Sequence, residues 1–156
     1  MIVRNPYKAI VSYWNLLQSG SQTGIAENES FITSQFEEFL YSGALRWFEV
    51  IEDWIMFGKD VHFIFYENIQ KNPIEEMRNL LNYFGLPVDE DRLSCLGKDL
   101  TGKFHRTKHQ PAVPFKHDHH QLLRMMIEKA DTIIRHYAGV ALPLEEYKEY
   151  KEFIIC

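Results

Sequence analysis

An α/β fold, predominantly helical around a small parallel sheet, is predicted by three features of the sequence. Twice a short β-branched apolar run ends in a polar turn and an amphipathic helix. Ile2-Val3 runs into Arg4-Asn5-Pro6, and Val61-His62-Phe63-Ile64-Phe65-Tyr66 runs into Glu67-Asn68 and a helix beginning near Asn72-Pro73. The second run is apolar almost throughout, as strands buried on both faces are. Helical sequence fills the space between the two, and parallel strands joined by helical crossovers make an α/β layer architecture.

The elements follow in order. A buried strand normally runs roughly four to eight residues, so the brief Ile2-Val3 run is expected to have lost upstream strand sequence. Asn5 is a good N-cap and Pro6 suits the first helical position, where its missing N–H costs nothing. A helix over 6–18 follows, with Ile10, Val11, Trp14 and Leu17 on its inner stripe. Residues 19–30 read as a flexible polar loop. Ser30 or Thr33 caps a short helix through Phe36, Phe39 and Leu40, and Ser42-Gly43 breaks it. A third helix spans 44–57 with Leu45, Phe48, Ile51 and Ile55 inward, and Gly58 ends it. The strand at 61–66 comes next. Asn72-Pro73 repeats the cap-plus-proline signature, with Glu75 completing a capping box. Ile74, Met77, Leu80, Leu81 and Phe84 form the stripe of that helix, which Gly85 and Pro87 terminate. A short helix is expected at 89–96, and residues 97–116 have no periodicity. Asp118 caps a long last helix over 121–137 with Leu122, Met126, Ile133 and Ile134 inward, and a polar tail follows Pro143.

With 156 residues and 46% apolar side chains the chain suffices for one domain or a large part of one. Its net charge of −5 argues against broad nucleic-acid binding, which needs a basic surface. It leaves room for a small basic pocket. No apolar run is long enough to span a membrane, and no signal-peptide pattern opens the chain. Cys95 and Cys156 read as free thiols, and Asn28-Glu29-Ser30 is a formal glycosylation sequon.

The candidate chemistry gathers at the first turn. A helix N-terminus offers free N–H groups and a positive dipole end to an anion. Arg4 lies just before the cap and Lys8 in the first turn, where the dipole disfavours cations. An anion between them would account for both; side chains pointing into water would do so equally. Arg4-Asn5-Pro6 and Tyr66-Glu67-Asn68 both fall at the carboxyl ends of strands, where such folds bind ligands. The loop after Gly97 is the most basic stretch, with Lys98, Lys103, Arg106, Lys108 and Lys116. His117, Asp118, His119 and His120 resemble a metal cluster, but at a helix start they read rather as a solvated cap.

Arg4-Asn5-Pro6 followed by Ser12 resembles the 3′-phosphate-binding strand and helix of sulfotransferases that use 3′-phosphoadenosine 5′-phosphosulfate (PAPS). The segment from Phe63 through Tyr66-Glu67-Asn68, Asn72-Pro73 and Leu80-Leu81 to Phe84-Gly85-Leu86-Pro87 is similar to a second signature of that family. Asp91-Arg92-Leu93-Ser94-Cys95 and Gly102-Lys103-Phe104-His105-Arg106 look most like the branch containing WSC-domain, Golgi-type sulfotransferases. The resemblance covers about residues 1–110.

It implies a partial P-loop-like three-layer fold lacking its N-terminal strands. The chain would be the C-terminal part of a single sulfotransferase domain, with 1–116 the best match and 117–156 a C-terminal helix and tail. It implies transfer of a sulfuryl group from PAPS to a hydroxyl on a glycan or small molecule, leaving the 3′,5′-bisphosphate, with no metal. Arg4 and Ser12 would hold the 3′-phosphate, Tyr66 would lie near the adenine, and Lys103 and Arg106 would close over the same phosphate. The last two depart from the Arg-Lys-Gly pattern of the cytosolic enzymes. The family's 5′-phosphosulfate loop, its bridging-oxygen lysine and its base lie upstream of this motif, so no catalytic residue is assigned; neither His62 nor Glu67 fits as base. The branch is Golgi-resident through an N-terminal anchor. Two alternatives stand beside this one: a non-catalytic nucleotide-binding or interaction remnant, and a P-loop kinase relative.

Overall fold

The structure is a computed structural model and describes residues 1–97, 113 and 115–149. Two short strands, β1 (Ile2–Val3) and β2 (Ile64–Phe65), pair in parallel with Ile2 opposite Ile64 and Val3 opposite Phe65. Helices make up most of the rest. They are α1 (Pro6–Ser19), α2 (Ser34–Phe57), α3 (Tyr66–Lys71), α4 (Pro73–Tyr83), α5 (Glu90–Gly97) and α6 (His117–Ala138). Single 3-10 turns lie at Asn28–Ile32 and Leu144–Glu146. The expected α/β class with a small parallel sheet and mainly helical content is what the chain forms.

Asn5 caps α1 as expected, its side chain accepting the Tyr7 N–H at 3.0 Å, and Pro6 occupies the first turn. Ile10, Val11 and Trp14 face the core, but Leu17 is half exposed and the buried polar Asn15 takes the inward position beside it. The Asn15 carboxamide accepts the Ala26 N–H at 2.8 Å, and the Trp14 indole donates to Ser30 at 3.0 Å. Residues 20–33 are therefore fastened to α1 through two side chains rather than hanging as a free loop.

The largest departure from expectation is α2. Ser42-Gly43 does not break it; the helix runs from its Thr33 cap through Phe57 without interruption. Gly43 is where Ile10 of α1 comes close: a Cβ added there would meet the Ile10 side chain at 3.4 Å. Packing of α1 against α2 selects the small residue. Leu45, expected inward, is exposed, whereas Leu40, Ala44 and Ile51 are buried.

α2 lies along α6, whose Leu123, Met126, Ile127, Ala130 and Ile134 complete the core. Leu122 and Ile133, expected inward, flank that stripe and are partly buried. α6 starts four residues earlier than its apolar stripe suggests. The expected strand at 61–66 is reduced to Ile64–Phe65, and Tyr66 already belongs to α3. Asn72 makes no side-chain cap at α4, so the capping box with Glu75 does not form. The α4 stripe is not buried either, and Phe84 is exposed. Tyr147 of the tail and Leu142 just before it are both buried in the core, so this segment is more than a polar appendage. No described helix is long and apolar enough to cross a membrane. Cys95 is a free, exposed thiol, and Cys156 lies outside the described residues.

A glycine inside a helix costs about 0.5–1 kcal/mol relative to alanine. Because 3.4 Å from Ile10 is ordinary contact, Gly43→Ala is expected to stabilise the chain by up to about that amount in urea unfolding. Gly43→Leu drives bulk into Ile10 and is expected to destabilise by about 1–3 kcal/mol.

Candidate functional site

The strand pairing sets the site. Val3 and Phe65 are opposite each other at the carboxyl ends of β1 and β2, so Arg4 and Tyr66, one residue further along each, emerge side by side. The Arg4 guanidinium lies over the Tyr66 ring, 4.5 Å from its centroid. A guanidinium is attracted to the negative face of an aromatic ring. Arg4 Nε is buried and has no hydrogen-bond partner among the described residues. Gln70 donates to the Tyr66 hydroxyl at 3.4 Å, which ties the ring to its own helix.

The backbone at this turn is fixed from three sides. The Arg4 carbonyl accepts the Trp47 indole N–H at 2.9 Å. The Asn5 N–H donates to Glu67 Oε1 at 3.0 Å. The Asn5 side-chain amide donates to Glu149 at 3.3 Å. Asn5 is fully buried and Glu67 is 6% exposed.

This arrangement corrects the expectation that the helix end presents free N–H groups. The Asn5 N–H belongs to Glu67, Pro6 has none, the Tyr7 N–H goes to the Asn5 side chain, and Lys8 and Ala9 both donate to the Asn5 carbonyl. These backbone donors are therefore not open to an anion. Lys8 and Ser12 are four apart, one turn above the other on a helix, and both are half-buried. They stand off the core stripe of Tyr7, Ile10, Val11 and Trp14. Of the residues singled out from sequence, Arg4 and Tyr66 are in contact and Ser12 lies along α1. Lys103 and Arg106 lie outside the described residues. The sequence places Glu67 at the strand edge but not against Asn5, and does not link Trp47 to the turn, because each reaches it across more than forty residues of sequence and no local pattern marks such a contact.

A cavity of about 770 Å³ opens beside β1, lined by Ile2, Arg4, Ile10, Tyr13, Phe39 and Trp47 among others. Its lining is mostly apolar, and the charged pair Arg46 and Glu49 at its margin is 3.4 Å apart.

The histidine-rich start of α6 is a lock on α2. Glu37, Asp118 and His119 bring possible ligand atoms within 4.8 Å of one another. His119 Nδ1 accepts the Lys116 N–H at 3.2 Å, which leaves the proton of the neutral ring on Nε2. That nitrogen is buried 3.7 Å from Glu37 and is a donor, not a ligand with a lone pair to give. Lys116 Nζ holds both Glu37 oxygens at 3.0 and 3.1 Å, and the Tyr41 hydroxyl donates to Asp118. The run opens α6 in its first turn, but His119 is buried rather than solvated, and Asp118, bonded to Tyr41, lies inside that turn rather than at its cap. His120 Nδ1 lies 3.0 Å from the Tyr7 hydroxyl, which joins α6 to the base of α1.

A family model described as "Sulfotransferase domain" matches residues 1–136. The chain is 27% identical over 112 residues to a WSCD family member of Aedes aegypti, an alignment covering 69% of this chain and 35% of the relative. WSCD family members of Drosophila pseudoobscura pseudoobscura and Drosophila melanogaster are 28% and 25% identical over the same length and shares. The chain thus spans about a third of the length of these relatives. No solved structure matches it.

The Tyr41 hydrogen bond holds the Asp118 carboxyl below the ordinary carboxylate range, against an opposing push from desolvation, and the same bond raises Tyr41. A carboxylate with a depressed folded-state value contributes stability above its unfolded value, about 3.9, and loses it as pH falls through the depressed one. Tyr41→Phe is expected to move the Asp118 midpoint upward in an NMR titration and to reduce that pH dependence on the acid side. An unchanged midpoint would mean that the bond is absent in solution.

Proposed function

The chain belongs to the family of sulfotransferase domains, and from that premise we propose that residues 1–156 form the C-terminal part of one such domain and carry its 3′-phosphate half-site. The whole protein, in this reading, transfers a sulfuryl group from PAPS to a hydroxyl of a glycan or small molecule. Because the chain spans about a third of its relatives, the proposal for these residues concerns cofactor binding; transfer itself belongs to the larger protein.

One observation carries the reading. A buried guanidinium nitrogen with no partner among the described residues sits at the carboxyl ends of two parallel strands, its group lying over the Tyr66 ring. Buried donors are almost always paired in native proteins, and an unpaired cationic one calls for an anionic acceptor. Arg4 offers phosphate oxygens a charged planar fork. Ser12 adds a hydroxyl, Tyr66 lines the adenine side, and by resemblance Lys103 and Arg106 close over the phosphate. With the helix N–H groups consumed internally, the site is built from side chains and favours a phosphate monoester that fits the guanidinium fork.

The test is calorimetric titration with adenosine 3′,5′-bisphosphate. A hydrogen bond to a charged group is worth about 1.5–3 kcal/mol, so Arg4→Ala is expected to weaken binding by about tenfold or more. Lys148→Ala, an exposed position, should leave it unchanged. Binding indifferent to Arg4 would overturn the assignment.

A further inference from the structure

The Arg4–Asn5 peptide group is held at both ends by side chains from two different helices. Its carbonyl oxygen takes the Trp47 indole N–H at 2.9 Å, and its N–H goes to Glu67 Oε1 at 3.0 Å. Trp47 is in the middle of α2 and Glu67 in the first turn of α3. A peptide plane fixed at both its donor and its acceptor cannot rotate, and the φ and ψ beside it are then set. The Arg4 side chain springs from that plane.

Glu67 is an odd choice for a purely structural role. It is 6% exposed, and its second oxygen is buried with no partner among the described residues. A buried carboxylate satisfied by one neutral donor is unfavourable for folding alone. Neighbouring Tyr147, fully buried with a hydroxyl that has no partner among the described residues, is raised by burial first and then by the charge of Glu67. The acid is kept where an apolar residue would pack without that cost, and what it does there is hold the Asn5 N–H.

We propose that Glu67 and Trp47 are positioning residues of the anion site, acting through the Arg4–Asn5 peptide on the direction of the Arg4 guanidinium. This rests on the 3′-phosphate reading above. Neither side chain needs to touch the ligand. Glu67 also takes a backbone donor that would otherwise face an anion, so recognition depends on the fork of Arg4 and its aim.

The test compares affinities for adenosine 3′,5′-bisphosphate and adenosine 5′-phosphate, which differ only in the 3′-phosphate. The ratio of the two is the readout, because general loss of structure lowers both affinities together. In Glu67→Ala the wild-type preference for the bisphosphate is expected to fall at least about tenfold, since small misplacements of a positioned group have large effects. Glu67→Gln keeps an oxygen for the Asn5 N–H and should retain the preference within about twofold. Trp47→Phe keeps an aromatic body but removes the other clamp, and should lose the preference several-fold; if Glu67→Ala is unfolded by circular dichroism, this variant carries the decision. A preference unchanged in folded Glu67→Ala or in Trp47→Phe overturns the positioning role alone. A wild-type chain with no preference overturns the 3′-phosphate reading and this inference with it.

Discussion

One peptide group organises this chain. The Arg4–Asn5 unit joins β1 to α1, and its two polar atoms are claimed by α2 through Trp47 and by α3 through Glu67. The Asn5 side chain adds α1 itself through Tyr7 and the C-terminal segment through Glu149. Five parts of the chain thus meet within two residues. Each contact is a hydrogen bond of modest individual worth, about 1 kcal/mol. Their common effect is geometric: the strand end, the helix start and the direction of Arg4 are set together.

The helical scaffold makes that junction rigid. α2 is unbroken for twenty-four residues and lies along α6, so Trp47 near its middle projects from a long, well-packed rod rather than from a loop. Gly43, one turn before Trp47, lets α1 approach closely through Ile10. The lock of Tyr41, Glu37 and Lys116 with the start of α6 fixes the same rod at its other side. A broken helix at Ser42-Gly43 would leave Trp47 free to turn, and the Arg4 carbonyl would lose its partner.

What the sequence made legible was local. Asn5-Pro6 announced a helix start, Gly58 an end, the apolar run near Ile64 a buried parallel strand, and Arg4 with Tyr66 a shared strand edge. What it hid was set by tertiary contact. Leu17 and Leu45 have the right character for a core position but fall off the faces that packing chose, and Asn15 is buried because Ala26 needs its oxygen. Ser42-Gly43 has the composition of a break, yet one small residue in a helix is also what close helix packing selects. His119 shows the same limit. A run of His117, Asp118, His119 and His120 suggests metal chemistry until the Lys116 N–H fixes which nitrogen bears the proton.

The juxtaposition of Arg4 and Glu67 follows from the same logic. A carboxylate close to an anion site is electrostatically adverse, and its cost grows in a dry interior. Here one Glu67 oxygen takes the Asn5 N–H, and its charge bears on Tyr147. The Arg4 guanidinium lies over the Tyr66 ring, which attracts the cation without competing for its N–H donors. A carboxylate facing Arg4 would pair with it and occupy those donors. An aromatic face attracts the guanidinium without taking its N–H donors, while the acid acts through the backbone. Orientation and neutralisation are thereby separated, and a cation can be held in place within the fold while keeping its charge for a ligand.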